Sequence, residues 1–170
     1  KAMGVLGIKP EDNVYLRLRD GEVENTMELI EKLAYQIREF QPEIIITHNP
    51  EDVVIRFAKD VNWINHRDHR NVGISAIDAA YPYSRDLSFF MEHFENSNLK
   101  PGEVKEYLLV DSYGHRDEVK IDISGYVEKR VAAHASHSSQ YSRQAAQESA
   151  DFFTKTAEGR FERFRHVVAD

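Results

Sequence analysis

The chain reads as an α/β protein, and three stretches carry that reading. "EIIITH" (43–48) is apolar without alternation, as expected of a strand covered on both faces of a parallel sheet. "NTMELIEKLAYQIREF" (25–40) places Met27, Ile30, Leu33, Ala34 and Ile37 at helical spacing. "NVYLRL" (13–18) alternates Val14, Leu16 and Leu18, which predicts a strand ahead of that helix. Strand, helix, strand is a βαβ unit, and the fold class follows from it.

Taken in order, the elements have their own local chemistry. Met3, Val5 and Leu6 run into Gly7, where a helix C-cap would sit, with Pro10 just beyond. A helix tail without a body predicts that sequence precedes Lys1. Asp20-Gly21 is turn chemistry. Asn25 and Glu28 suit the N-cap and N3 positions of the long helix, and Gln41-Pro42 stops it. Residues 49–65 read as a polar connection. A helix follows over 66–80, with Asn65 as its N-cap, Asp68 at N3 and Pro82 ending it. Residues 83–103 are mixed and hold the loop "NSNLKPGE". "VKEYLLV" (104–110) is a strand and "EVKIDIS" (118–124) a weaker one, with Ser124 placed to cap a helix through "GYVEKRVAAHASHSS". Residues 142–166 read as a final helix, Phe153, Ala157, Phe161 and Phe164 forming its packing face. Nothing in the pattern marks a repeat or a second domain, so one domain is expected over 1–170.

Composition narrows the chemistry. The 170 residues are 41% hydrophobic and 30% charged, ordinary values for a soluble globular domain. No apolar run approaches the roughly 20 residues that span a bilayer. The formal net charge of −7 argues against nucleic acid and anionic membranes as partners, since both favour a basic surface. With no cysteine, disulfides and thiolate chemistry are absent, which fits a cytoplasmic setting, and any metal must be held by His, Asp or Glu.

"NHRDHRNVG" (65–73) is where such ligands concentrate. His66 and His69, three apart at a helix start, share a face. The positive end of the helix dipole disfavours imidazolium and keeps the rings neutral, the form that ligates metal. Asp68 alone is explained as a first-turn acid that stabilises the helix. Ligands in open α/β sheets gather beyond the carboxyl ends of the strands, so His48, at the end of "EIIITH", is expected to share one sheet edge with His66, Asp68 and His69. "AHASHSSQ" (133–140) adds His134 and His137, which by themselves read as an exposed helix end.

Together these stretches resemble the LmbE-like family of zinc-dependent N-acetylglucosaminyl deacetylases, also called the PIG-L family. "NHRDHR" is similar to its His-Pro-Asp-His element, "ISAIDAAYP" to the helix that follows, and "VAAHASHSSQ" to its late His-x-Ser-Gln element. "LGI", "RDGE" and "PEIIITHNP" fall in family order ahead of them. The resemblance implies a Rossmann-like three-layer αβα fold with a mostly parallel sheet, zinc as cofactor, and a small-molecule amino sugar as substrate. It implies His69 as a zinc ligand and His66 as a donor to the developing oxyanion. Asp68 would orient or tune an imidazole, His137 would approach the reacting centre, and Arg19 would contact a substrate hydroxyl. Arg19 reads equally as an exposed charge beside a turn.

The chain also departs from the family. Its His-Pro-Asp-Asp motif, which brings two zinc ligands and the general base, is nowhere in the sequence, and Arg67 replaces a proline. The expectation is therefore a piece lacking the first β-α elements of the fold, with little or no hydrolysis of its own. A non-catalytic carbohydrate- or partner-binding α/β domain is the alternative, and an amidase for sugar-linked thiol conjugates a second. The oligomeric state stays open, homo-oligomer included.

Overall fold

The structure is a computed structural model describing residues 1–169, and the α/β class holds. The chain divides into two compact units, one of residues 18–119 with 164–169 and the other of residues 1–17 with 120–163. No helix is long and apolar enough to cross a membrane among the described residues.

In the larger unit, α2 (Met27–Phe40) leads into β1 (Ile44–His48). The strand β1 lies parallel to β4 (Glu106–Val110), with Ile44 opposite Glu106 and His48 opposite Val110. The final strand, β6 (Phe161–Val168), pairs antiparallel with β4 through residues 165–168, so the sheet is mixed. Ile30, Ala34 and Ile37 of α2, Ala79 and Ala80, and Tyr107 and Leu109 of β4 form its buried core. Thr26, not Asn25, caps α2, its hydroxyl accepting from Leu29 N, while the Asn25 side chain bonds Ser75 and Asp78. Glu28 pairs with Lys32 on the exposed face rather than closing a capping box.

The helix α3 (Arg67–Asp78) continues into a π-helical turn, Ala79–Ser84, that contains Pro82. It crosses β1 so closely that a Cβ on Gly73 would press into the backbone oxygen of His48. Only glycine allows that separation. One expectation fails on this strand: Ile45 and Thr47 face the core, but Ile44 is 47% and Ile46 63% exposed, so β1 is covered on one face only. Residues 49–65 are not merely a connection. They hold an antiparallel hairpin of β2 (Val54–Ala58) and β3 (Val61–Ile64), with a bulge between Arg56 and Ala58.

A short helix, α4 (Glu92–Ser97), interrupts the mixed stretch 83–103, and one side chain organises that stretch. Arg38 of α2 is buried and donates to the carbonyls of Tyr83, Ser84, Asp86, Phe89 and Phe90. It also meets Nδ1 of buried His93 at 2.9 Å. A guanidinium only donates, so that nitrogen accepts and the His93 proton sits on Nε2.

In the smaller unit, α1 (Ala2–Leu6) ends as expected at Gly7, whose φ of 90° is the left-handed cap. Residues 13–18 form no strand. Pro10–Asp12 is a single 3₁₀ turn, and an irregular segment follows in which Arg17 has φ 54°. The helix α5 (Val127–Ala135) starts without a side-chain cap, and Ser124 instead donates its N–H to Asp122. β5 (Glu118–Asp122) matches the weaker strand. The last expected helix ends early: α6 (Arg143–Thr154), capped by Ser142, stops, and the chain turns at Gly159 (φ 149°) into β6. Phe161 and Phe164 thus sit on a strand, and the helical seam is Val131 against Ala146 and Ala150.

Burial, and then the neighbouring Arg38, lower the His93 pKa from its ordinary 6.5. The unfolded chain therefore takes up that proton at a higher pH than the folded one. Stability from this site is full above about 6.5 and is lost as pH falls through and below it. Urea titrations between pH 7.5 and 5 should show that decline, and His93→Gln should remove part of it. The remainder belongs to His69 and His134, whose values are lowered in the same direction.

Candidate metal centre

Three segments converge beyond the carboxyl ends of β1 and β4. His48 is the last residue of β1, His69 lies in the first turn of α3, and Asp111 follows β4 directly. Their ligating atoms all lie within 4.8 Å of one another. His48 Nδ1 is 3.1 Å and His69 Nδ1 3.9 Å from the same oxygen, Oδ2 of Asp111. The two imidazoles stack with centroids 4.0 Å apart. Two imidazole nitrogens and one carboxylate oxygen are a donor set suited to zinc, which takes three protein ligands where a fourth position stays open for chemistry.

The backbone prepares this meeting. Gly73 is one helical turn beyond His69, so its close approach to the His48 carbonyl brings that face of α3 against the strand end. Asp111 has φ 60°, a left-handed conformation uncommon outside glycine. Strand alternation therefore ends at Val110, and the carboxylate turns to meet His48. Burial first, and then the neighbouring His48, lower the His69 pKa, with Asp111 opposing. The shift favours the neutral imidazole, the form that ligates metal.

His66, not Asn65, is the N-cap of α3: its Nδ1 accepts from Asp68 N at 3.2 Å. The proton of the neutral ring is therefore on Nε2, which remains a donor. Its centroid is 5.4 Å from that of His69. Asn65 is buried and holds the loop before the hairpin, its amide donating to Asn49 O and Asp52 O. Asp68 does not bond an imidazole through its carboxylate. Those oxygens accept from Gly21 N (2.6 Å) and Val23 N (3.3 Å), tying the 21–23 turn to α3, while its charge raises the His69 pKa slightly. Arg19 is exposed and paired with Glu22 at 3.2 Å. His137 belongs to the smaller unit, exposed just past α5.

Sequence reasoning missed Asp111. Its signal is positional, an acid directly after an apolar strand that pairs in parallel with another strand ending in histidine. A second group, Glu31, Glu92 and His93, also lies within ligating distance. There the His93 proton is committed to Nε2, the nitrogen 3.8 Å from Glu31, because Nδ1 accepts from Arg38. With both His93 nitrogens so engaged, Glu92 reads as a counter-charge to Arg38 and Glu31 as a partner of His93. A cavity of ≈ 560 Å³, with apolar walls from Ile77, Tyr107, Leu109 and Val167, is lined by none of the three converging groups.

The family model described as PIG-L, GlcNAc-PI de-N-acetylase, matches residues 1–80. Over that stretch, just under half of the chain, the sequence is similar to the PIG-L family. The stretch contains Arg19, His48, His66, Asp68 and His69; Asp111 and His137 lie beyond it. Among solved structures, the chain is similar to the N,N'-diacetylchitobiose deacetylase from Pyrococcus horikoshii, determined with its inhibitor MPG. The TM-score is 0.74 at 23% identity, over 98% of this chain and 60% of that one. A conserved protein from Thermus thermophilus matches at TM-score 0.63 and 17% identity, over 99% of this chain and 69% of that one. At such identities the likeness is one of fold. The chain spans 60% of the length of the first. No curated protein matches it.

Gly73→Ala tests the packing that makes the centre. The extra methyl has backbone, not a flexible side chain, in its way, so α3 must shift. We expect a loss of about 1–3 kcal/mol in chemical denaturation. Histidine NMR should show the His48 and His69 ring resonances moving, while the His134 resonance stays in place.

Proposed function

We propose that the protein is a metal-dependent amide hydrolase that removes the acetyl group from an N-acetylated amino sugar. The observation that carries the reading is the convergence of His48, His69 and Asp111 at the carboxyl ends of two parallel strands, beside a His66 poised to donate from Nε2. The PIG-L match over the histidine motif supports it, and so does the fold shared with a deacetylase of diacetylchitobiose.

In this reading His69 is the primary zinc ligand, and His48 and Asp111 complete a three-donor set. When bound, zinc supplies Lewis acidity toward a water and toward the amide carbonyl. His66 donates its Nε2 proton in a hydrogen bond to the carbonyl oxygen as negative charge grows there, an interaction typically worth about 3 kcal/mol. Water adds to the carbonyl carbon, the carbon–nitrogen bond breaks, and acetate and the free amine leave. Asp68 takes no direct part; it holds the 21–23 turn and so fixes the start of α3, from which both histidines project. Arg19 and His137 are proposed substrate contacts on the strength of the family resemblance. The converging group contains a single carboxylate, Asp111, and with that oxygen on the metal no second one there accepts a proton from water. This chain is therefore expected to bind zinc and to turn over slowly.

Equilibrium dialysis with zinc should give about one metal per chain. His69→Ala should abolish it, and His66→Ala should leave it intact. Absence of zinc from the wild-type chain, or its retention by His69→Ala, defeats the metal assignment. Acetate release from N-acetylglucosamine at ordinary enzyme rates would show that a proton acceptor outside these residues has been overlooked.

A further inference from the structure

On the α2 side of the sheet, β4 carries a buried phenol that no described residue satisfies. Tyr107 is 7% exposed, and its hydroxyl has no hydrogen-bond partner among the described residues. Burial raises its pKa, and the nearby Arg85 opposes the rise. The phenol therefore keeps its proton at neutral pH and offers an O–H donor. Buried tyrosine hydroxyls ordinarily find an acceptor.

Tyr107 forms part of the wall of the ≈ 560 Å³ cavity. Strand alternation puts Leu109 on the same face, and the antiparallel register sets Val167 of β6 opposite Tyr107. Ile77, Ala80 and Val104 extend the apolar wall. Charge enters at two places. Arg165 is bound to Glu51 at 2.5 Å and to Asp117 at 2.9 Å, so carboxylates of the protein already answer that cation. Arg85 is exposed, its Cζ lies 5.8 Å from the centre of the Tyr81 ring, and its charge is felt at Tyr107. Every one of these residues belongs to the larger unit.

These features select a guest. The volume falls within the ~300–1,000 Å³ of small-molecule sites. Water finds few polar partners on such walls, and an apolar body covers them better. The guest must also bring an acceptor to the phenol. A carboxylate there meets an O–H and a guanidinium, both of which donate. A guanidinium has five N–H donors, so Arg85 can hold such a guest alongside its other contacts. An ammonium head group would be repelled by Arg85. We propose that this cavity is a binding site for a small amphipathic carboxylate, with its apolar chain against Ile77, Leu109 and Val167 and its head group at Tyr107 and Arg85. None of the three metal-centre groups lines the cavity, so the proposal does not depend on the hydrolase reading.

Decanoate is a suitable probe, with decanol and decylamine as its neutral and cationic counterparts. Calorimetric titration should give one decanoate per chain, decanol about tenfold weaker, and no binding of decylamine. Tyr107→Phe removes one oxygen that no described residue bonds, and Arg85→Gln changes an exposed side chain, so both variants should fold. Each should weaken decanoate by about tenfold, and Arg85→Gln should leave decanol unchanged. His69→Ala should bind decanoate as the wild type does, which separates this site from a carboxylate seated on a metal. Absence of binding to the wild type, unchanged affinity in Tyr107→Phe, or loss of binding in His69→Ala overturns the site. Decanol binding as tightly as decanoate overturns its assignment to a carboxylate.

Discussion

The contact between Gly73 and the backbone of His48 is the constraint on which the rest of the candidate centre depends. A helix can lie this close to a strand only where no Cβ intervenes. Because Gly73 follows His69 by one turn, the same contact that seats α3 also decides which imidazole stacks on His48. Parallel pairing supplies the second half of the geometry. It brings the ends of β1 and β4 to one edge, so Asp111 arrives beside His48 without any long-range motif linking them. An antiparallel pair would have placed those ends at opposite edges of the sheet.

Two buried charged groups frame this arrangement, and they are satisfied in opposite ways. Asp68 takes backbone N–H donors from the 21–23 turn, and Arg38 gives its protons to five backbone carbonyls of the 83–90 stretch. In each case a charge is surrounded by peptide dipoles, and an irregular loop is fixed by it. Loops have few apolar contacts of their own, and buried polar groups demand partners. One ion can therefore order many residues, at the cost of sensitivity to whatever changes its surroundings, as with His93 beside Arg38.

Much of the fold was legible in the sequence where periodicity and punctuation agreed. The helix α2, the strands β1, β4 and β5, the helix α3 and the Gly7 cap all stand close to where hydrophobic spacing and cap residues put them. Misreadings came where one pattern suits two structures. Phe153, Ala157, Phe161 and Phe164 keep helical spacing, yet Gly159 lets the chain turn and the last two join a strand. "NVYLRL" alternates like a strand but finds no neighbour to pair with. The hairpin hid in a stretch whose polar residues suggested only a loop. Caps shifted by one residue, from Asn25 to Thr26 and from Asn65 to His66, because adjacent acceptors compete and only packing decides among them. At the centre, His48, His66 and His69 could be placed on one edge from topology. Asp111 has the same positional signal, but the left-handed backbone that turns its carboxylate inward has no local pattern to announce it.

The pairing of β1 with β4 also has a temporal side. Ile44 and Glu106 are register partners across a long intervening stretch, so β1 must wait for most of its own unit before it can form the ladder. Contacts this distant in sequence close slowly, since loop-closure entropy is met before any stabilising contact returns. During synthesis His48 and His69 leave the ribosome well ahead of Asp111. The stacked histidines can form with α3 against β1, but the third group of the centre joins only once β4 has paired with β1.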